Sequence, residues 1–158
     1  MHFEFSPVYI TSHATIGIMI GERIGNPVLG FFLGAFSHFI CDMIPHGDTQ
    51  FDAWIARIPR ARRAVTYGMA ILDLIAMLVM LWFISPTLIL TPSVVATTIG
   101  TIAPDILWAW YDIAQWKLLA AYQQWHHCLH KVLPRDIPYW LGLLYQTLLV
   151  VTLVHLRS

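Results

Sequence analysis

Ala64 to Ile84 and Ile137 to His155 are two stretches of about 20 residues each, the length that crosses the hydrocarbon of a bilayer, and Asp73 is the one carboxylate within them. Composition extends that constraint to the whole chain. Of 158 residues, 58% are hydrophobic and 11% charged, whereas a soluble domain carries about a quarter charged residues. Inside lipid, every backbone polar group must be bonded within the protein, so a chain of this kind folds as helices packed on helices. The expectation is an all-α, polytopic membrane helical bundle of about five transmembrane helices plus one interfacial helix, forming a single transmembrane domain over residues 1–158.

Three further segments complete the expected set. The first runs from Pro7 to Ile24, with Ser6 as N-cap and Pro7 at the first helical position. After a tight turn at Asn26-Pro27 the second runs to Ile44, where Pro45-His46-Gly47-Asp48 ends it, and the fourth spans Pro92 to Tyr111. Asp112 to Leu133 mixes Trp116, Lys117, Gln123, Gln124, Trp125 and Lys131 with Leu and Ala, the pattern of a helix lying at the interface. Trp108, Trp110, Tyr111, Trp116, Tyr139 and Trp140 flank span ends and read as an aromatic belt. Gly17, Gly21 and Gly25 recur every four residues, and Gly30 and Gly34 repeat the spacing, which predicts a closely packed hairpin of the first two helices.

Charge placement sets the orientation and excludes one class of function. With five crossings, Arg57, Arg60, Arg62, Arg63, Lys117, Lys131 and Arg135 fall on one side and only Arg23 and Arg157 on the other. The positive side faces the cytoplasm, which places a multi-pass protein in the cell inner membrane with its N-terminus cytoplasmic. Lys plus Arg and Asp plus Glu both total 9, so there is no basic field for nucleic acid. The N-terminus lacks the basic run and small-residue cleavage site of a removable signal. Cys41 and Cys128 suggest neither a disulfide framework nor a thiolate zinc cluster, so a metal would be held by His and Asp.

Ionisable groups inside a bilayer are costly and face the bundle interior, so their depth is informative. At about 1.5 Å of rise per residue, His13 lies roughly two turns inside the first span, and Asp105 about two turns before the end of the fourth, immediately after Pro104. His38 and Asp42 stand four apart on one face at the corresponding end of the second. His46 and Asp48 lie on the loop beneath that layer, and His126, His127 and His130 lie on the interfacial helix. Positions 13 to 130 therefore converge on one cytoplasmic-side layer. Imidazole with carboxylate and no thiolate suits a catalytic divalent metal, zinc first, with manganese or iron as alternatives. A cation also lets Asp42 and Asp105 stay ionised at that depth. His38 with Asp42, and one pair among His126, His127 and His130, have ligand spacing; Asp73, nearly mid-membrane, reads first as a packing hydrogen bond.

Four segments carry a resemblance: Ser12-His13-Ala14, Gly34 to Asp48 (GAFSHFICDMIPHGD), Gly100 to Ile106 (GTIAPDI), and His126 to Leu133 (HHCLHKVL). Together they are similar to the bacterial and archaeal membrane-bound, metal-dependent hydrolases, small polytopic proteins with a distant likeness to zinc-dependent phospholipase C. The resemblance implies His13, Asp105, His127 and His130 as metal-site residues, with His38 and Asp42 matching the family's His-x-x-x-Asp. Leu107-Trp108 stands where that family continues with Asp-His, and His-His-Cys-Leu-His replaces its His-Arg-Gly-x-Thr-His.

The function expected is a metal-dependent hydrolase acting from the cytoplasmic face on a phosphoester or another bond in a lipid-like substrate. Its metal ligands would come from His13, His38, Asp42, His46, Asp105, His127 and His130, and Asp48 would be the general base because it lies on a loop beside them. Arg57, Arg60, Arg62 and Arg63 would attract an anionic headgroup. The alternative is a non-enzymatic metal-binding or transport membrane protein. A bis-His haem protein is disfavoured by the clustered carboxylates, and a purely structural membrane protein would leave the polar layer without a purpose.

Overall fold

A computed structural model describes residues 9–44, 47–130, 132 and 137–157. Among them the regular secondary structure is all helical: α1 (Ile10–Gly21), α2 (Pro27–Asp42), α3 (Asp48–Ile55), α4 (Arg62–Ile84), α5 (Pro92–Ala114), α6 (Lys117–His130) and α7 (Tyr139–Arg157). Local chemistry fixes several boundaries. Asn26 caps α2 by accepting from the amides of Val28 (2.9 Å) and Leu29 (3.1 Å), with Pro27 at the first helical position. Thr91 does the same for α5 through the amide of Val94, ahead of Pro92. Pro104 sits inside α5 without ending it, and α5 closes at Gln115, whose φ of 53° is left-handed. The expected cap Ser6 and Pro7 lie outside the described residues; α1 is described from Ile10.

Three expectations change. The segment after Asp48 is helical, because Phe51 and Ile55 share one face and bury it; Phe51 stacks on Tyr139. The interfacial segment divides, residues 112–114 continuing α5 and residues 117–130 forming α6. Most consequentially, α1 and α2 do not make their closest contact with each other, because α5 lies against both. The face of α5 that carries Ser93, Thr97 and Thr101 is lined by small side chains, all buried, and the glycines of both other helices pack on it. A methyl group on Gly21 would lie 2.5 Å from the Val94 Cα, and those on Gly34 and Gly100 would collide with the backbone of Thr97 and of Phe31, respectively. Gly25, by contrast, has open space around it and takes no part in the packing.

The remaining helices lie outside this trio. α4 and α7 pack on α1, sharing a small core of Ala14, Ile18, Met80, Ile84 and Val94 with Val150 and Val154 against it. Ser12 donates to Gln146 (3.0 Å) across the α1–α7 contact. Thr11 donates to the Asp73 carboxylate (2.7 Å) across the α1–α4 contact, so Asp73 makes the packing hydrogen bond its sequence position suggested. At the end where α1, α4 and α7 all terminate, Arg157 bonds Glu22 (2.6 Å) and both the hydroxyl and carbonyl of Thr87. Arg157 and Arg23, next to Glu22, thus lie at one end of the bundle.

The outer surface is apolar. Phe32, Phe36 and Ile40 recur every four residues on the exposed face of α2, as do Ile71, Ile75 and Val79 on α4, and Leu144, Leu148 and Val151 line α7. Monomeric soluble proteins rarely expose contiguous apolar faces of this extent. Of the expected spans, α4 and α7 are long and apolar enough to cross a membrane; α1 and α2 are apolar but have 12 and 16 residues. Trp108, expected in the aromatic belt, is buried instead.

Candidate metal centre

Five side chains from four helices meet where α1 begins, α2 ends and α5 nears its end. His13 comes from α1, His38 and Asp42 from successive turns of α2, Asp105 from α5 and His126 from α6. All are enclosed, with exposures of 6%, 0%, 4%, 7% and 2%, respectively. Asp42 is the hub. Its Oδ2 lies 2.8 Å from His38 Nε2 and 2.9 Å from His126 Nε2, and its Oδ1 lies 3.2 Å from His13 Nε2. Asp105 Oδ1 is 3.7 Å from His38 Nε2, and its Oδ2 is 3.9 Å from His13 Nε2. The two imidazole nitrogens of His38 and His126 stand 3.2 Å apart.

The proton on His38 follows from its other nitrogen. Nδ1 lies 2.8 Å from the Thr101 carbonyl, which only accepts, so Nδ1 carries the hydrogen and a neutral His38 has its lone pair on Nε2. That lone pair points at a carboxylate oxygen and at a second imidazole nitrogen. A lone pair and a carboxylate in buried contact repel one another unless a proton or a metal ion stands between them. A metal ion would meet this need, and a backbone carbonyl on the far nitrogen is the usual support of a metal-bound histidine.

The His38, Asp42 and His126 contacts of 2.8–3.2 Å are close to ligand–ligand spacing, and Asp105 stands farther off. Atoms about 2.0–2.2 Å from a common zinc ion stand roughly 3–3.5 Å from one another. One ligand atom from each of His38, Asp42, Asp105 and His126 lies within 4.8 Å of all the others. This buried group could hold a metal ion.

Tyr122 supports the group from α6. Its ring stacks on His126 with centroids 5.7 Å apart and 15° between planes, and its hydroxyl donates to the Pro104 carbonyl at 2.8 Å. Burial, and then the negative charges of Asp105 and Asp42, push the phenol above its ordinary value, so it remains a donor. Phe39 packs edge-on against both Trp125 and His126. The ring of His13 lies 4.2 Å from that of His38.

The structure brings together His13, His38, Asp42 and Asp105 from the expected set, and adds His126. His127, one residue on, is half-buried and lies outside the group that could hold the ion. Adjacent positions on a helix are about 100° apart, so one of the two histidines faces inward. The buried and half-buried face of α6, through Leu119, Tyr122, His126 and Leu129, shows which one. That apolar spacing is visible in the sequence and was the signal for His126. The side chain of His130 and the whole of His46 lie outside the described residues. Asp48 opens α3 and so does not belong to a loop, and its side chain likewise lies outside them.

No family model matches the chain, and comparison with curated proteins and with solved structures returns no match.

Proposed function

We propose that the chain is a polytopic membrane protein whose His/Asp cluster holds a divalent metal, zinc in first place, and hydrolyses a phosphoester or related bond in a lipid-like substrate. One observation carries this reading: the Thr101 carbonyl fixes the proton on His38 Nδ1, leaving Nε2 aimed at Asp42. Mixed nitrogen and oxygen ligands without thiolate suit a catalytic ion better than a closed structural one. Such an ion polarises an ester oxygen and lowers the pKa of bound water. The chain's own residues enclose the reacting region, and Asp42 and Asp105 supply the negative charge that retains the ion.

The apolar faces of α2, α4 and α7 support burial in lipid on several sides. With α1, α2 and α5 completing five spans, the basic residues from Arg57 to Arg63 favour a cytoplasmic N-terminus in the inner membrane. The motif likeness to membrane-bound metal-dependent hydrolases points to the same reaction class. Non-enzymatic transport is less well supported: away from the cluster the α1–α5 and α2–α5 contacts are closed backbone to backbone at Gly21, Gly34 and Gly100, which leaves no ion path along that seam.

The test is hydrolysis of a chromogenic phosphodiester by the full chain in mild detergent. Activity should disappear on chelation, return with zinc, and be missing in Asp42→Ala. Hydrolysis that survives chelation, or a metal-loaded protein that cleaves no phosphoester, would reject the hydrolytic reading.

A further inference from the structure

The two carboxylates divide their oxygens between different histidines. Asp42 Oδ2 faces His38 and His126, whereas its Oδ1 faces His13. Asp105 repeats the division, with Oδ1 toward His38 and Oδ2 toward His13. A mononuclear site needs one oxygen from each carboxylate, yet here the second oxygen of each faces a further imidazole, His13. We infer that the cluster is built for two divalent cations bridged by Asp42 and Asp105: one held by His38, His126, Asp42 Oδ2 and Asp105 Oδ1, the other by His13, Asp42 Oδ1 and Asp105 Oδ2. This inference rests on the metal-centre reading above and deepens it.

Charge and enclosure agree with the assignment. Two carboxylates and three neutral imidazoles carry two negative charges, which two divalent ions exceed, so the pair attracts an anionic ligand such as a phosphoester. The second subsite has three protein ligands to the first one's four, leaving more of its positions to water or substrate. Its own imidazole, His13, is 6% exposed, against 0% and 2% for His38 and His126 of the first subsite. A pair of ions held by these residues would supply charge stabilisation to both the attacking and the leaving oxygen of an in-line displacement. In that hydrolysis the water oxygen bonds to phosphorus as the ester oxygen departs; one water proton leaves on the alcohol and the other stays with the phosphate.

The bland alternative is that His13 donates a hydrogen bond to the carboxylates. His13 Nδ1 is buried without a hydrogen-bond partner among the described residues, so either ring nitrogen of a neutral His13 can carry the hydrogen. Counting ions decides between the two. The full chain in detergent, equilibrated with zinc and freed of excess, should hold two ions by elemental analysis, and His13→Ala should hold one while His38 and its partners keep theirs. Loaded with manganese, the unaltered protein should give the electron paramagnetic resonance spectrum of an exchange-coupled pair, a readout independent of whether His13→Ala folds. One ion in both proteins and an isolated-manganese spectrum would overturn the second subsite and leave a mononuclear centre standing. No bound ion in either would remove the metal centre itself.

Discussion

α1, α2 and α5 bury polar groups at both ends of their common packing, and the two ends treat them oppositely. Toward the Arg157 end, the hydroxyls of Ser93 and Thr97 are bonded to the carbonyls of Ile24 and Ser93, and glycines close the backbones around them. Every one of those donors has an acceptor that the fold itself provides. At the other end, imidazole nitrogens and carboxylate oxygens face one another, with the His38 proton already committed to Thr101. In the seam the hydroxyls of Ser93, Thr97 and Thr101 find backbone carbonyls without any added group, whereas the cluster gathers ligand atoms that could hold a metal ion. Buried polarity alone therefore does not mark a site; polarity of one kind turned on itself does.

That contrast can be broken in four places. Asp42→Ala removes the hub of the cluster and should weaken zinc binding by more than the about 10- to 100-fold that a supporting residue costs; competition with a chromophoric chelator reads this. Gly100→Leu forces a side chain into the Phe31 backbone and should lower the stability of the detergent-solubilised protein by about 1–3 kcal/mol, as overpacking does, seen in thermal unfolding. Tyr122→Phe keeps the stack on His126 but removes the bond to Pro104, so zinc affinity should fall about 10-fold with the helical signal unchanged. Thr97→Val replaces a hydroxyl that bonds only within its own helix; stability should change by less than about 1 kcal/mol and zinc affinity not at all.

Much of this was legible in the sequence, for physical reasons that can be named. Ala64 to Ile84 and Tyr139 to Arg157 announce themselves by length and apolarity. His13, His38, Asp42 and Asp105 fall at one level because helical rise converts chain position into depth, and the structure joins them. The insertion of α5 against both α1 and α2 was not legible: glycine spacing says that backbones approach closely, not which helix approaches. Ligand spacing along a helix does not choose His126 over His127; the apolar face of α6 through Leu119, Tyr122 and Leu129 does. α3 was read through its charged neighbours and its turn residues, which hid the Phe51 and Ile55 pair.

X-ray absorption at the zinc edge of the zinc-loaded full chain tests the central claim most directly. The account predicts a shell of nitrogen and oxygen with imidazole scattering and no sulfur, replaced in Asp42→Ala by the spectrum of hydrated zinc. A wild-type spectrum of hydrated zinc, or one dominated by thiolate, would contradict it.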